Sequence, residues 1–443
     1  MKAATKSIKL LLSLILSLTL LLTACSSNGG QGADSDKNSE GKVVIDFWTF
    51  WGSEIRRPVI EKIIQDFNNS QDKIEVKHTY LPFGDIWTKN LASIAAGKPA
   101  DVIINDINQV AHRAQNNQNT NLSKYMEKDP EVKDRFFPEL YKASLYKGEP
   151  YALPFNTDTR MLFYNKDMFK EVGLDPNKPP ATWEELEEYG KKLDIKNGKN
   201  YDRIGYLPNY KMGAEVWMIN ADGKSYWDYK KEKPIIDDPS NIEALTWFKD
   251  YYDYYGSNVI NKFQAEFGEE TADPFISGKL AMTTETTNFF TKIRDYGEDI
   301  NFGIAPLPAK EPGKSQTSWG GGFVAEIPKG AEHPDEAWEF LKYLTDVQAQ
   351  EHWAVKGFDN VANIEASKKA AENPEFSEDG KMVYTASVKN LEETIITPVP
   401  LQAPDFTNLI NPELEKVLLG KQSPKEGLKK AQRAVEQLVK NNK

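Results

Sequence analysis

Cysteine and histidine are scarce in this chain, and their scarcity excludes several kinds of chemistry. Among 443 residues there is one cysteine, Cys25, and there are four histidines. A disulfide framework, a thiolate metal site and a thiol nucleophile are therefore excluded beyond Cys25. The histidines lie far apart in sequence and form no HxH or HExxH motif, so neither a metal site nor a cofactor is predicted.

Long apolar runs are also rare, and the one at the start of the chain is short. Leu10–Leu22 spans 13 residues and follows three lysines. A membrane-spanning helix needs about 20 apolar residues, so this run predicts a secretory signal peptide, residues 1–24. The ending Leu22-Thr23-Ala24-Cys25 resembles a bacterial lipobox, in which Cys25 is lipidated and becomes the first mature residue. An ordinary signal peptide cut near Ala24 is the alternative.

Residues 25–42 are almost entirely polar and predict a flexible linker that follows the lipidated cysteine. Two acyl chains anchor a protein stably to a bilayer. We therefore expect a monomeric globular body held by a lipid anchor on the extracytoplasmic face of the cell membrane.

Positive charge is outnumbered, which argues against two classes of ligand. Lys and Arg total 55 against 66 Asp and Glu, for a net charge of −11. An acidic surface disfavours binding to nucleic acid and to anionic lipid. Aromatic residues are plentiful, with 10 Trp and 19 Tyr, and indicate a binding surface that uses flat rings.

Strand and helix patterns alternate from the start of the globular part. Period-two or apolar runs predict strands at 43–48, 74–80 and 101–105, and helical periodicity covers 54–68 and 84–96. This β-α-β-α-β order predicts a parallel sheet covered by helices, whose ligands bind beyond the carboxyl ends of the strands. About 400 residues are too many for one core, so two domains are expected.

Three further segments carry features that an ordinary buried strand or helix does not need. Residues 148–165 form a long extended run with a polar break at 156–160, which either passes between two cores or faces a cleft. Residues 302–308 are extended and bounded by proline. In 318–324, three glycines beside Trp319 allow a close backbone approach.

Several long motifs occur in the order found in one family. They are KPADVIINDI, GEPYALPFNTDTRMLFYNKDMFKEVGLDPNKPPATWEEL, SGKLAM, FGIAPLPAKEPGKSQTSWGGGFVAEIPKG and DEAWEFLKYLTD. In these the chain resembles the sugar-specific bacterial extracellular solute-binding proteins of ABC importers, which are similar to maltose-binding protein. The resemblance covers roughly 43–440.

The resemblance implies an α/β fold of the periplasmic-binding-protein type (type II), with a ligand cleft between two lobes that are each a sheet flanked by helices. It implies an N-lobe of 43–155 and 306–350 and a C-lobe of 159–303 and 354–443. The implied function is that of a binding lipoprotein, not an enzyme. Such a protein captures a carbohydrate, with an oligosaccharide favoured, and delivers it to the membrane permease.

Carboxylates and amides suit sugar hydroxyls, which both donate and accept hydrogen bonds. The resemblance places Asp158 at a lobe crossing as a ligand contact, and a hinge hydrogen bond to the backbone is its alternative. Of Asn105, Asp106 and Asn108, one is expected to cap the next helix and one or two to touch ligand. Glu285 is either a hydroxyl acceptor or a charge partner of a helix N-terminus.

Aromatic rings stack on the weakly polar faces of sugars. Trp319 with Gly320 and Gly321 is the leading candidate for such a wall. Trp51 and Trp217 are further aromatic candidates, with core packing as the alternative for each. Trp353 and Phe406 are weaker aromatic candidates. Asn288 stands where most family members have a Trp, a departure that puts stacking at that turn in doubt.

Two rival functions follow from the same residues. A secreted glycoside hydrolase needs two carboxylates about 5–10 Å apart, one with a raised pKa, and Asp158 with Glu285 could form such a pair. Nothing in the sequence buries either one. A receptor for a phosphorylated polyol or a polyamine is the second rival, although only Arg113 and Arg160 lie near the predicted cleft positions.

Overall fold

The structure is a computed structural model that describes residues 37–267 and 272–442. The predicted signal peptide, Cys25 and the first part of the predicted linker lie outside the described residues. The chain divides into an N-terminal unit, Met1–Val44, and a body, Ile45–Lys443. In the described part of the N-terminal unit, Lys37 pairs with Val43 across a short turn.

The first sheet has six strands and contains the predicted β-α-β-α-β segment. Its strands, in spatial order, are β16 (Asn360–Val361), β6 (Leu153–Thr157), β15 (Gly322–Glu326), β3 (Val102–Asp106), β1 (Val43–Thr49) and β2 (Ile74–Tyr80). β1 and β3 pair in parallel, as the alternation predicted, while β15 runs antiparallel to both β3 and β6. The sheet is therefore mixed.

The second sheet has five strands and a separate core. In spatial order these are β13 (Phe302–Pro306), β7 (Arg160–Asn165), β12 (Leu280–Thr286), β9 (Asn200–Tyr206) and β8 (Ile195–Asn197). Buried side chains from these strands and from the C-terminal helices form one hydrophobic cluster that includes Leu162, Met282 and Leu428. The shortest strands pair in twos, as β4 (Leu145–Tyr146) with β5 (Glu149–Pro150), β10 (Trp227–Asp228) with β11 (Lys233–Pro234), and β14 (Ser318–Gly320) with β17 (Thr394–Ile396).

Helices cover the sheets, and their apolar faces match the periodicity of the sequence. They are α1 (Arg56–Ser70), α2 (Asp85–Ala95), α3 (Val110–Gln115), α4 (Ser123–Met126), α5 (Pro138–Ala143), α6 (Lys166–Glu171), α7 (Trp183–Leu193), α8 (Ala214–Asp222), α9 (Pro239–Tyr255), α10 (Ser257–Glu266), α11 (Phe289–Tyr296), α12 (Pro334–Leu344), α13 (Val347–Gly357), α14 (Ile364–Glu372), α15 (Glu378–Asn390), α16 (Thr407–Leu418) and α17 (Pro424–Asn441). Helix α1, for example, buries Val59, Ile63 and Phe67. None of the helices within 37–267 and 272–442 is long and apolar enough to cross a membrane.

The chain passes from the first sheet to the second in the polar break of the extended run. β6 ends at Thr157 and β7 begins at Arg160, so only Asp158 and Thr159 lie between the two sheets. These two residues therefore lie between the carboxyl end of β6 in the first sheet and the start of β7 in the second sheet.

The structure differs from the predicted lobe ranges at two places. Ala309 exchanges backbone hydrogen bonds with Ala181 and Trp183, so the chain leaves the second sheet's body later than residue 306. Asn360–Val361 pairs with β6, within the range 354–443 that was assigned to the C-lobe. This pairing satisfies the backbone groups that β6 would otherwise leave free at its edge.

Candidate ligand-binding site

A small cavity lies where the two sheets face each other. It has a volume of about 60 Å³ and is lined from the first sheet's side by Arg56, Asn156, Thr157, Asp158, Gly322, Phe323, Asp359 and Asn360. From the second sheet's side it is lined by Thr286, Thr287 and Asn288, which follow β12. We call this the central cavity. Hydroxyls, amides and carboxylates dominate its wall.

Asp158 is the centre of a group that the sequence predicted in part. Its carboxylate accepts a hydrogen bond from the Gly321 N–H at 2.9 Å and pairs with the Arg160 guanidinium. That guanidinium lies over the Trp319 ring, 4.8 Å from its centroid, and donates to the Trp319 carbonyl at 3.0 Å. The side chain of Asp158 is 33% exposed, so it keeps room for a further partner.

The glycine run comes close to the protein's own backbone. A Cβ at Gly320 would stand 2.5 Å from the Asp158 carbonyl, and one at Gly322 would stand 2.2 Å from the Asn156 carbonyl. Gly322 also has φ +145°, which side chains rarely adopt. These glycines therefore let β14 and β15 close onto the crossing segment, and through it they position Asp158.

Asp359 is a site residue that the sequence analysis missed. Its carboxylate accepts hydrogen bonds from Asn156 at 2.8 Å and from the Trp353 indole at 3.2 Å, and Arg56 lies 3.5 Å away. Burial raises the pKa of Asp359, and the Arg56 charge opposes that shift. Asn156 and Asp359 are 203 residues apart, so no local pattern could have paired them.

One hydrogen bond joins the two sides of the central cavity, and a second links two loops outside it. Thr287, after β12, donates to the Asn360 side-chain oxygen at 2.6 Å, and both residues are buried. The Val399 N–H donates to the Asn108 carbonyl at 2.8 Å. Asn288 accepts from Thr286 at 2.6 Å and lines the central cavity.

Asn105 and Asp106 lie at the carboxyl end of β3, outside the central cavity. Asp106 caps the following 3₁₀ turn by accepting from the Asn108 N–H at 2.7 Å, which confirms that one of the three polar residues is a cap. Asn105 donates to Glu326 at 2.6 Å, and Glu326 pairs with Arg113 at 2.6 Å. Burial raises the pKa of Asp106. Both residues line a neighbouring cavity instead.

Glu285 has a partner within the protein that was not predicted for it. It is buried, and its carboxylate pairs at 2.9 Å with Lys211, which also pairs with Asp273 at 2.8 Å. Burial raises the pKa of Glu285, and the Lys211 charge pulls it back. The ion pair engages the carboxylate oxygen Oε1, so the partner that the structure shows for Glu285 is Lys211.

The remaining aromatic candidates are core residues. Trp51 and Trp353 are fully buried, with ring centroids 4.3 Å apart, and both pack against Phe155 beneath the first sheet's part of the site. Trp217 and Phe406 belong to the hydrophobic cluster of the second sheet. All four are therefore buried in cores, which is the alternative given for Trp51 and Trp217. Rings that fill a core and rings that line a cleft look the same in sequence.

The chain belongs to the bacterial extracellular solute-binding protein family, whose model matches residues 62–383. It is 24% identical to the arabinooligosaccharide-binding protein of Bacillus subtilis, over 95% of this chain and 96% of that protein. It is 23% identical to the sn-glycerol-3-phosphate-binding periplasmic protein of Escherichia coli, over 91% and 94%. The structure of CpMnBP1 with mannotriose bound is 29% identical and covers 89% of this chain and 100% of that chain, with a TM-score of 0.76.

Family membership confirms the type of protein that the sequence motifs indicated. The chain is an extracellular solute-binding protein with a two-domain α/β fold, and its family binds substrates rather than converting them.

Proposed function

We propose that this protein captures an oligosaccharide between its two sheets and delivers it to the permease of an ABC importer. Mannotriose bound to CpMnBP1 and the arabinooligosaccharide named for the Bacillus subtilis relative support a neutral carbohydrate of more than one unit. We propose Asp158 and Asn288 as direct contacts and Trp319 as the aromatic wall. Asn105 and Asp106 would contribute from the adjoining cavity.

The lining of the central cavity carries this proposal. Asn156, Thr286, Thr287 and Asn288 place amides and hydroxyls on both of its sides, and Asp158 adds a partly exposed carboxylate. These groups can donate and accept as sugar hydroxyls require. A ligand held from both sides stabilises the arrangement in which the sides are close, which is how binding favours closure.

The charges near the site disfavour the phosphorylated and cationic ligands. Arg56, Arg113 and Arg160 each face a carboxylate within 3.5 Å or closer. A phosphate would have to displace those partners, and a polyamine would have to compete with the arginines. A neutral polyhydroxyl ligand needs neither exchange. The Escherichia coli relative, named for glycerol phosphate, makes phosphate the rival to test.

The carboxylate pair named for the hydrolase alternative does not meet in the central cavity, because Asp158 lines it and Glu285 does not. No pattern in the sequence indicated burial of Glu285, yet this residue is buried and its pKa is raised, as an acid catalyst requires. Its Oε1, however, pairs with Lys211, and Glu285 does not line the central cavity. Family membership also assigns the chain to binding proteins.

The decisive experiment is a thermal-shift and calorimetric screen of the protein from residue 26 onward. Probes are the manno-, malto- and arabino-oligosaccharides from two to four units, with sn-glycerol 3-phosphate and spermidine as rivals. A ligand at a hundredfold excess over Kd should add about 2.7 kcal/mol to stability. Stabilisation by glycerol phosphate or spermidine, and by no sugar, would contradict the proposal.

We also propose that the protein is a monomer tethered to the outer face of the cell membrane through a lipidated Cys25. The polar composition of residues 26–42 suits a flexible linker between the lipidated cysteine and the body. We propose, in addition, two lobes with the ranges given by the resemblance, except for the differences at residues 309 and 360.

A further inference from the structure

The C-terminal helix pair carries positive charge on a protein that is acidic as a whole. Residues 407–443 contain eight Lys and Arg against four Glu, whereas the whole chain has a net charge of −11. Four of these cations recur at helical spacing along α17, namely Lys425, Lys429, Arg433 and Lys440. Side chains separated by four, four and seven residues share one face of a helix. We call this set of four side chains the basic stripe.

The basic stripe is exposed, and its charges are not neutralised by the protein itself. All four side chains are exposed, and within the part of the chain that the structure describes none of them forms an ion pair. One carboxylate, that of Glu436, lies on the same face, and it accepts a hydrogen bond from Gln432 at 2.8 Å. The stripe therefore presents a net positive charge to the solvent.

A neighbouring element adds a further cation beside the basic stripe. The hairpin of β10 and β11 lies against α17, because Gln432 donates to the Pro234 carbonyl at 3.1 Å and accepts from the Ile236 N–H at 2.7 Å. Lys233 precedes Pro234 in this hairpin and is exposed. The positive surface therefore continues from the helix onto the hairpin.

The opposite face of α17 decides what kind of partner the stripe can bind. Leu428, Ala431 and Val435 are buried in the hydrophobic cluster of the second sheet, so the helix has no free apolar face to insert into a bilayer. Attraction to a charged surface must therefore be electrostatic. Each Lys or Arg close to an anionic bilayer raises affinity about fivefold. At about 0.1 M salt the Debye length is about 10 Å, so carboxylates farther away on the body are largely screened.

We propose that the basic stripe docks the body of the protein on an anionic phospholipid bilayer. Phosphate headgroups accept charge-assisted hydrogen bonds from lysine and arginine. The stripe is thus a local exception to the net charge, which disfavours anionic lipid. The proposed tether through Cys25 would hold the body beside such a bilayer, so that even a weak attraction acts at a high effective concentration. None of the four side chains lines the central cavity, so docking is separate from sugar capture.

Co-sedimentation with lipid vesicles tests this proposal. The protein from residue 26 onward lacks Cys25, so any binding that is measured does not come from a lipid anchor. The vesicles are either neutral phosphatidylcholine or an equimolar mixture of phosphatidylcholine and phosphatidylglycerol. At about 0.1 M salt the wild type should bind the mixed vesicles and not the neutral ones, and about 0.5 M salt should release it.

Two variants remove charge from the basic stripe without replacing a core residue. Lys425→Gln combined with Lys429→Gln takes away two positive charges, and Arg433→Glu alone changes the local charge by the same amount. Each should lower affinity for the mixed vesicles about 20- to 30-fold. The matched control combines Lys89→Gln with Lys368→Gln, at exposed lysines of α2 and α14, and changes the net charge equally. It should bind as the wild type does.

Melting temperatures of all variants show whether they fold as the wild type does. Failure of the wild type to bind the mixed vesicles, or equal binding to neutral vesicles, would overturn the docking surface. Wild-type affinity in the stripe variants, or the same loss in the control, would also overturn it. Fractionation of Cys25→Ser reports on the lipid anchor by itself, so a failure of docking and a failure of the anchor are distinguishable.

Discussion

The hydrogen bond between Thr287 and Asn360 makes closure of the site testable by one substitution. Thr287 follows β12 of the second sheet, and Asn360 belongs to β16 of the first. Their side chains meet at 2.6 Å with both residues buried. Thr287→Val keeps the shape of the side chain and removes its donor. The Asn360 oxygen is then unpaired when the sheets are close, and it is hydrated when they separate.

The expected magnitude follows from that unpaired oxygen. Asn360 keeps its other hydrogen bond, which it donates to Ser387 at 2.9 Å, so only one partner is lost. A buried acceptor without its donor costs about 1–3 kcal/mol. The equilibrium between closed and open forms should move toward the open form by that amount. Sugar affinity should fall by about 5- to 150-fold where closure is required for binding.

Small-angle scattering and calorimetry measure the two consequences. Wild-type protein should become more compact with bound oligosaccharide. Without sugar, Thr287→Val should have a larger radius of gyration than the wild type. Thr246→Val is the matched control, since Thr246 is exposed on α9 and its hydroxyl donates to the Ile242 carbonyl of its own helix. Wild-type scattering and wild-type Kd in Thr287→Val would refute the reasoning.

Three further changes test other parts of the molecule. Trp319→Ala should weaken sugar binding by about 1–3 kcal/mol with little change in apo melting temperature, because the ring is only half-buried; a large apo destabilisation with unchanged affinity would make it a core residue. Burial raises the pKa of Glu215 to about 7, so its ionisation opposes folding as pH rises from about 4.5 to 7. The free energy of unfolding of Glu215→Gln, measured relative to that of wild type, should therefore be higher at pH 8 than at pH 4 by up to about 3 kcal/mol. A difference that does not change with pH would disprove the raised pKa. Cys25→Ser should convert a membrane-bound protein into a released or unprocessed one on fractionation, and a mutant still processed and membrane-bound would disprove lipidation.

The local elements of the fold could be predicted because their signals are local. The alternation at 43–48 and 74–80 and the helical spacing at 54–68 match β1, β2 and α1 within one or two residues. Ser423 and Glu426 form a capping box at the start of α17, and a serine followed three residues later by a glutamate is itself a local pattern. The polar break at 156–160 marks the passage between the sheets, since backbone leaving a strand needs hydrogen-bonding partners that its neighbours no longer supply.

The candidate site could be predicted only in part, because burial depends on distant chain segments. Asp158 and Trp319 belong to one group, as the motifs indicated, although Arg160 joins them as an unpredicted link. Trp217 and Trp353 were proposed for the cleft and lie in cores. An indole gains the same burial in either place, so its sequence context cannot separate the two.

The sequence by itself determined the class of protein, its strand and helix order, and the residues that end β3 and β6. Only the tertiary structure decided which polar groups remain available to a ligand. Asp359 is held at the site by a hydrogen bond with Asn156, which is 203 residues away in sequence. Glu285 forms an ion pair with Lys211, which is 74 residues away. Hydrogen bonds and ion pairs of this kind depend on distance in space, which the fold sets and the order of residues does not.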